Sequence, residues 1–89
     1  MLLVPTRREV SDRLVQLTSE IAKIPADRIT ETATIDEDLC LESVTFIELQ
    51  VAIEEEYQVE IDPIRVLELN QFGAIAEYVY RVIVENGGG

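Results

Sequence analysis

Apolar positions recur at helical spacing in four blocks, and the stretches between them are rich in Thr, Asp and Pro. In the first block Val10, Leu14, Leu17 and Ile21 return every three or four residues, the stripe that turns one face of a helix toward a core. Thr6 is followed three residues later by Glu9, the spacing of a capping box, so a first helix is predicted over about residues 7–23, with Pro25 ending it. The run "IPADRITETATIDEDLC" then keeps no sustained period and reads as a long ordered loop. Loops of this length in a small domain are commonly functional.

A second helix is predicted from Ser43 to about Tyr57, a run free of Gly and Pro that ends in three glutamates, which are good helix formers. At about 100° per residue, Phe46, Leu49, Ile53 and Tyr57 share one arc of about 80°, and Val44, Ile47 and Val51 fall in a second arc beginning about 80° further round. One neighbour cannot cover both. The first arc is assigned to the core. The second is assigned to a partly exposed strip flanked by Glu48 and Glu55, and an apolar strip edged with charge is the usual make-up of a protein-docking surface.

A short third helix is expected over "PIRVLEL", with Asp62 as its cap and Pro63 at its first position, where the missing donor costs nothing. A fourth begins after Asn70 and lines one face with Phe72, Ile75, Ala76, Val79, Val82 and Ile83. The closing "NGGG" reads as a stop followed by a flexible glycine tail at residues 87–89. The expected architecture is all-α: a four-helix bundle with three longer helices, a short third one and a long loop after the first, forming a single domain over residues 1–86. Phe46, Tyr57, Phe72, Tyr78 and Tyr80 belong to core and rim. Phe46, on the first turn after Ser43, is placed to narrow or line an entrance between helices.

Composition narrows the function classes. Eighty-nine residues allow a modest core but no lobed catalytic cleft, and 47% hydrophobic content argues against a disordered acidic tail. Seven Lys and Arg against 18 Asp and Glu leave a net charge of -11, which repels nucleic acid and anionic membranes and attracts basic protein surfaces. The opening "MLLV" is too short for a signal peptide or a membrane span, so a cytoplasmic monomer is expected. One cysteine and no histidine exclude an internal disulfide, an ordinary zinc site and a serine triad.

The segment from Asp36 to Asp62 holds ten carboxylates and no Lys or Arg. It is either a solvated face or a steering surface for basic partners, and it lacks the spacing of a calcium loop. Cys40 is read as a small apolar residue rather than a reactive site. Ser43, taken alone, is a helix cap.

In its context, however, "DLCLESVTFIELQVAIEEEYQVEI" resembles the second-helix region of an acyl carrier protein. Such regions read Asp-Leu-Gly, then Asp-Ser-Leu, then Val-Glu-Leu and a Glu-rich end with an aromatic. The matching residues are Asp38-Leu39-Cys40, Glu42-Ser43-Val44, Ile47-Glu48-Leu49 and Glu54-Glu55-Glu56-Tyr57, and the predicted helices follow the family's order. The resemblance implies that Ser43 receives a 4'-phosphopantetheine arm from coenzyme A through a separate phosphopantetheinyl transferase, and that the arm carries acyl groups as thioesters. Base and metal would then belong to the transferase, and the carrier itself would not be an enzyme. Glu42, Val44, Ile47, Glu48, Val51 and Glu55 would form the docking surface for acyl-loading and ketosynthase-type enzymes with basic patches, in a fatty-acid or polyketide-type pathway.

Three positions leave the pattern: Cys40 stands for Gly, Glu42 for Asp and Val44 for Leu. Cys40 matters if its backbone needs a positive φ, where a Cβ is disfavoured. Together the three suggest a dedicated pathway carrier. The alternatives are an aminoacyl or D-alanyl carrier, and an unmodified acidic interaction module of the same fold.

Overall fold

Local capping chemistry sets the helix starts. The computed structural model describes residues 4–87. Thr6 Oγ1 accepts from Glu9 N at 3.1 Å while Glu9 Oε1 accepts from Thr6 N at 2.8 Å, and α1 runs over Arg7–Ala22. It ends three residues before Pro25, because Lys23 turns into the left-handed region at φ 61° and Ser19 Oγ donates to Ile24 O at 2.6 Å. A single 3-10 turn, Ala26–Arg28, follows. After the long loop come α2 over Ser43–Tyr57, α3 over Pro63–Leu69 and α4 over Phe72–Gly87. Asp62 caps α3 by accepting from Ile64 N at 3.0 Å, with Pro63 at the first position. The helix α4 continues through Gly87, the first residue of the expected glycine tail. The tail's last two residues lie outside those described, as do residues 1–3 of the apolar opening.

The four helices form the expected bundle, with α1 against both α2 and α4, and α3 against α4. Val10, Leu14 and Leu17 of α1 meet Ile53 of α2, Val66 of α3, and Phe72, Ile75, Ala76, Val79 and Ile83 of α4 in one buried cluster. Ile21 and Val82 are only partly buried. The long loop contributes Ile29, Ala33, Ile35 and Leu39 to the same core. Full burial of one aliphatic side chain is worth about 1.5–3 kcal/mol, so these four make the loop part of the folded unit.

The loop's backbone is bonded to the start of α4. Phe72 N donates to Ala33 O and Gly73 N to Glu31 O, both at 2.8 Å, and Thr34 pairs with Gln71 in an isolated antiparallel bridge. The first amides of a helix have no partner within it; here the loop supplies carbonyls to two of them. Arg7 closes the junction from the other side, donating to Glu77 Oε1 at 3.0 Å and Gly73 O at 3.1 Å. Its guanidinium is the main reason that the Glu77 carboxyl titrates below its ordinary range.

One buried polar atom breaks the pattern of satisfied groups. Thr18 is 1% exposed and its Oγ1 has no hydrogen-bond partner among the described residues, a situation that costs roughly 1–3 kcal/mol.

Gly73 tests the junction between loop and helix. A Cβ there would lie 2.9 Å from Glu31 O and 3.1 Å from Glu31 Cβ, so the usual helical gain from Gly→Ala should reverse. Gly73→Ala is expected to destabilise the protein by about 1–3 kcal/mol, lowering Tm by roughly 4–8 °C per kcal/mol in thermal unfolding. A raised Tm would mean that the Glu31 carbonyl moves aside freely.

Candidate functional site

The last part of the loop is built to deliver the start of α2. Thr34 N donates to Asp38 Oδ2 at 2.8 Å. Leu39 N returns to Thr34 O and Leu41 N to Ile35 O, both at 2.9 Å. Leu39 is buried, and the chain must then turn outward to reach α2; Cys40 makes that turn at φ 51°. The positive φ is the backbone condition under which replacing glycine matters, and it carries the cost that a Cβ brings in the left-handed region. Cys40 is also exposed, which corrects its reading as a small apolar residue in packing. Its Sγ donates to Glu37 O at 3.3 Å.

Asn70, between α3 and α4, holds this turn. Its carbonyl accepts from Ile35 N at 2.9 Å and its side-chain amide donates to Asp36 Oδ1 at 3.1 Å. The Asn70 donor is the largest cause holding the Asp36 carboxyl below its ordinary range. A carboxylate with a lowered pKa is a weaker base, so Asp36 is a poor candidate to activate a neighbouring hydroxyl.

Glu42 is the N-cap of α2 and makes no side-chain cap bond; glutamate is outside the set of good capping residues. Ser43 therefore occupies the first helical position and is not the cap, which removes the purely structural role open to it in the sequence. It is exposed, and its hydroxyl has no hydrogen-bond partner among the described residues. Whereas α1 and α3 are capped by Thr6 and Asp62, α2 leaves its first-turn amides without a side-chain acceptor. Those amides and the positive end of the helix dipole favour an anion attached nearby.

The strip predicted to be exposed is exposed: Val44 at 68%, Ile47 at 56% and Val51 at 45%. Phe46, Leu49 and Tyr57 are partly buried around Ile53, as the core arc requires. The acidic run divides in three dimensions. Glu56 pairs with Arg13 at 3.0 Å and Glu54 accepts from Ile61 N at 2.8 Å, while Glu42, Glu48 and Glu55 are exposed with no ion pair among the described residues. All six residues assigned to docking thus face solvent.

Beside Ser43 an open groove of about 440 Å³ runs between α2 and α3, walled by Phe46, Ile47, Pro63, Ile64 and Leu67. Ile64 and Leu67 are large, exposed and apolar. They were not picked out as docking residues; their i, i+3 spacing was visible, but a helix this short does not reveal which way it faces. Behind the groove lies an interior cavity of about 30 Å³. Ile35, Leu41, Phe46 and Gln50 line both spaces and form the wall between them. Phe46 therefore does stand at an entrance.

Comparison with known proteins bears on what this geometry serves. Residues 12–79 match the family model described as a phosphopantetheine attachment site. An acyl carrier protein of Saccharopolyspora erythraea is 32% identical over 71 residues, covering 80% of this chain and 75% of that protein. One of Thermobifida fusca is 26% identical over 76 residues, covering 85% and 96%. A mitochondrial acyl carrier protein of Arabidopsis thaliana is 32% identical over 71 residues, covering 80% and 54%.

The left-handed cysteine gives a direct test of the turn before α2. Cys40→Gly removes a Cβ from φ 51° at the cost of one weak thiol hydrogen bond. It is expected to stabilise the protein by up to about 1 kcal/mol, because the roughly 1–2 kcal/mol of left-handed strain relieved exceeds the roughly 0.4–1 kcal/mol that glycine costs through unfolded-chain entropy, measured as a higher denaturant midpoint at unchanged slope. A lower midpoint would show that the bond from the thiol to Glu37 outweighs the backbone strain.

Proposed function

Since the chain belongs to the acyl carrier protein family and so carries a covalent 4'-phosphopantetheine, we propose that Ser43 is the attachment point. The observation that carries this reading is an exposed serine at the first position of a helix whose start, at Glu42, has no side-chain cap bond. The site fits a phosphodiester: the hydroxyl is free, and the unpaired amides offset repulsion from Glu42. In the transfer, the bond from Ser43 Oγ to phosphorus forms as the pyrophosphate of coenzyme A breaks. The serine proton passes to a base on the transferase, and 3',5'-ADP leaves. The chain supplies the acceptor and its presentation, which explains how it works without histidine.

The docking surface comprises Glu42, Val44, Ile47, Glu48, Val51 and Glu55, extended across the groove by Ile64 and Leu67. Free carboxylates steer basic enzymes to this face, and the apolar strip between them gives a contact small enough to release. The cargo is an acyl chain of a fatty-acid or polyketide-type pathway. An aminoacyl cargo is less suited to the interior cavity, because an ammonium group is costly to bury unpaired among apolar side chains. The departures at Cys40, Glu42 and Val44 support a dedicated carrier acting as a cytoplasmic monomer, with residues 1–86 as one carrier domain.

Two measurements test this. Incubation with coenzyme A and a promiscuous phosphopantetheinyl transferase should add one arm by intact mass, whereas Ser43→Ala, folded as judged by circular dichroism, should gain none. An arm on Ser43→Ala would move the site elsewhere. Reversing charge with Glu48→Lys and Glu55→Lys should slow association with a basic ketosynthase-type partner by roughly tenfold or more at low salt. The difference should shrink near 1 M salt, where charges are screened within about 3 Å; equal rates for variant and wild type at low salt would remove these residues from the docking face.

A further inference from the structure

The interior cavity is almost entirely apolar, yet a threonine faces it. Leu14, Ile53, Phe72, Ile75 and Val79 line it together with Thr18. Among the described residues, Thr18 Oγ1 is the one buried side-chain oxygen or nitrogen without a partner. A helical threonine ordinarily satisfies its hydroxyl on the carbonyl one turn back, and Thr18 does not. Valine has the same shape and no hydroxyl to satisfy, so packing alone would be better served by valine.

Water is a poor answer to this unpaired group. The cavity volume of about 30 Å³ would admit roughly one molecule, but a buried water needs two to four polar partners. The other polar side chain in the lining, Gln50, already gives one amide N–H to Ile61 O at 3.2 Å, so a water would have only Thr18 and the rest of that amide to draw on, the minimum of that range. A cargo oxygen suits the site better. It would be covalently tethered through Ser43, would enter past the wall of Ile35, Leu41, Phe46 and Gln50, and would need only the one hydrogen bond that Thr18 can donate.

We propose that Thr18 is a specificity residue of the cavity, favouring acyl chains that carry a ketone or hydroxyl oxygen over saturated chains of the same length. This deepens the reading of Ser43 as the attachment point and rests on it. The hydroxyl gains its missing hydrogen bond only when an oxygen-bearing chain is inside. Either chain exceeds the cavity's volume of about 30 Å³, so the lining must part equally for both, and a saturated chain leaves the hydroxyl unpaired.

The test loads wild type, Thr18→Val and Thr18→Ser with octanoyl, 3-oxooctanoyl or 5-oxooctanoyl arms from their coenzyme A thioesters, confirms loading by intact mass, and compares Tm. In the wild type at least one oxo chain should raise Tm above the octanoyl form by roughly 4–8 °C, the shift that one net hydrogen bond gives in a domain of this size. Thr18→Val should abolish that gap and, without cargo, should be at least as stable as the wild type, while Thr18→Ser should keep the gap. Equal Tm for oxo and octanoyl forms of the wild type would overturn the inference, as would a gap unchanged in Thr18→Val. A marked fall in Tm for unloaded Thr18→Val would also overturn it, because the hydroxyl would then be satisfied without cargo. Failure of the wild type to gain any arm would instead overturn the Ser43 reading, and this inference with it.

Discussion

The fold depends on an exchange between groups that each lack a partner. The first amides of α4 have no acceptor within their own helix, and the long loop has carbonyls with no ladder to join. Phe72 N to Ala33 O and Gly73 N to Glu31 O satisfy both at once. Buried backbone groups left unpaired are costly, so this junction, more than any preference of the loop residues, makes an irregular segment a fixed part of the core. Asn70 extends it by three further bonds, one with Ile35 and two with Asp36. A backbone otherwise free to wander therefore arrives at Glu42 in one place.

That fixed arrival gives Ser43 its chemical character. A serine one residue earlier would cap the helix and lose its freedom to its own backbone. Here Glu42 occupies the cap position without bonding, Ser43 is left exposed, and the helix start keeps its positive end open to an anion. Cys40 bears part of the strain of the arrangement, since its left-handed backbone permits the sharp change of direction between buried Leu39 and the solvent-facing start of α2.

The same bundle separates two kinds of surface along α2. Glu54 and Glu56 are taken up by structure, fastening the α2–α3 link and pairing with α1. Glu42, Glu48 and Glu55 remain as free charge around an exposed apolar strip. On the inner side, one wall of four residues divides the groove beside Ser43 from the small cavity below it. Thr18 brings an unpaired hydroxyl to the lining of that cavity.

Much of this was legible in the chain itself, and the reason is range. The capping box at Thr6 and Glu9, the Asp62-Pro63 start of α3 and the two apolar arcs of α2 are relations between residues within a turn or two of each other, and the helical period carries them directly. Other features depend on neighbours far away in sequence. Lys23, rather than Pro25, ends α1 because the exit of the helix is shaped by what it meets. Ser43 falls at the first helical position rather than at the cap because the loop sets the register of the helix start, and Cys40 lies at the surface for the same reason. Three consecutive glutamates look alike in one dimension; only the positions of Arg13 and Ile61 decide which of them are free. The missing partner of Thr18 is likewise invisible in sequence, because the absence of a hydrogen bond is a property of everything packed around an atom. Local chemistry determined the helices and nominated the serine; the tertiary structure decided which charges, walls and hydroxyls remain available to act, since availability depends on contacts that only folding brings together.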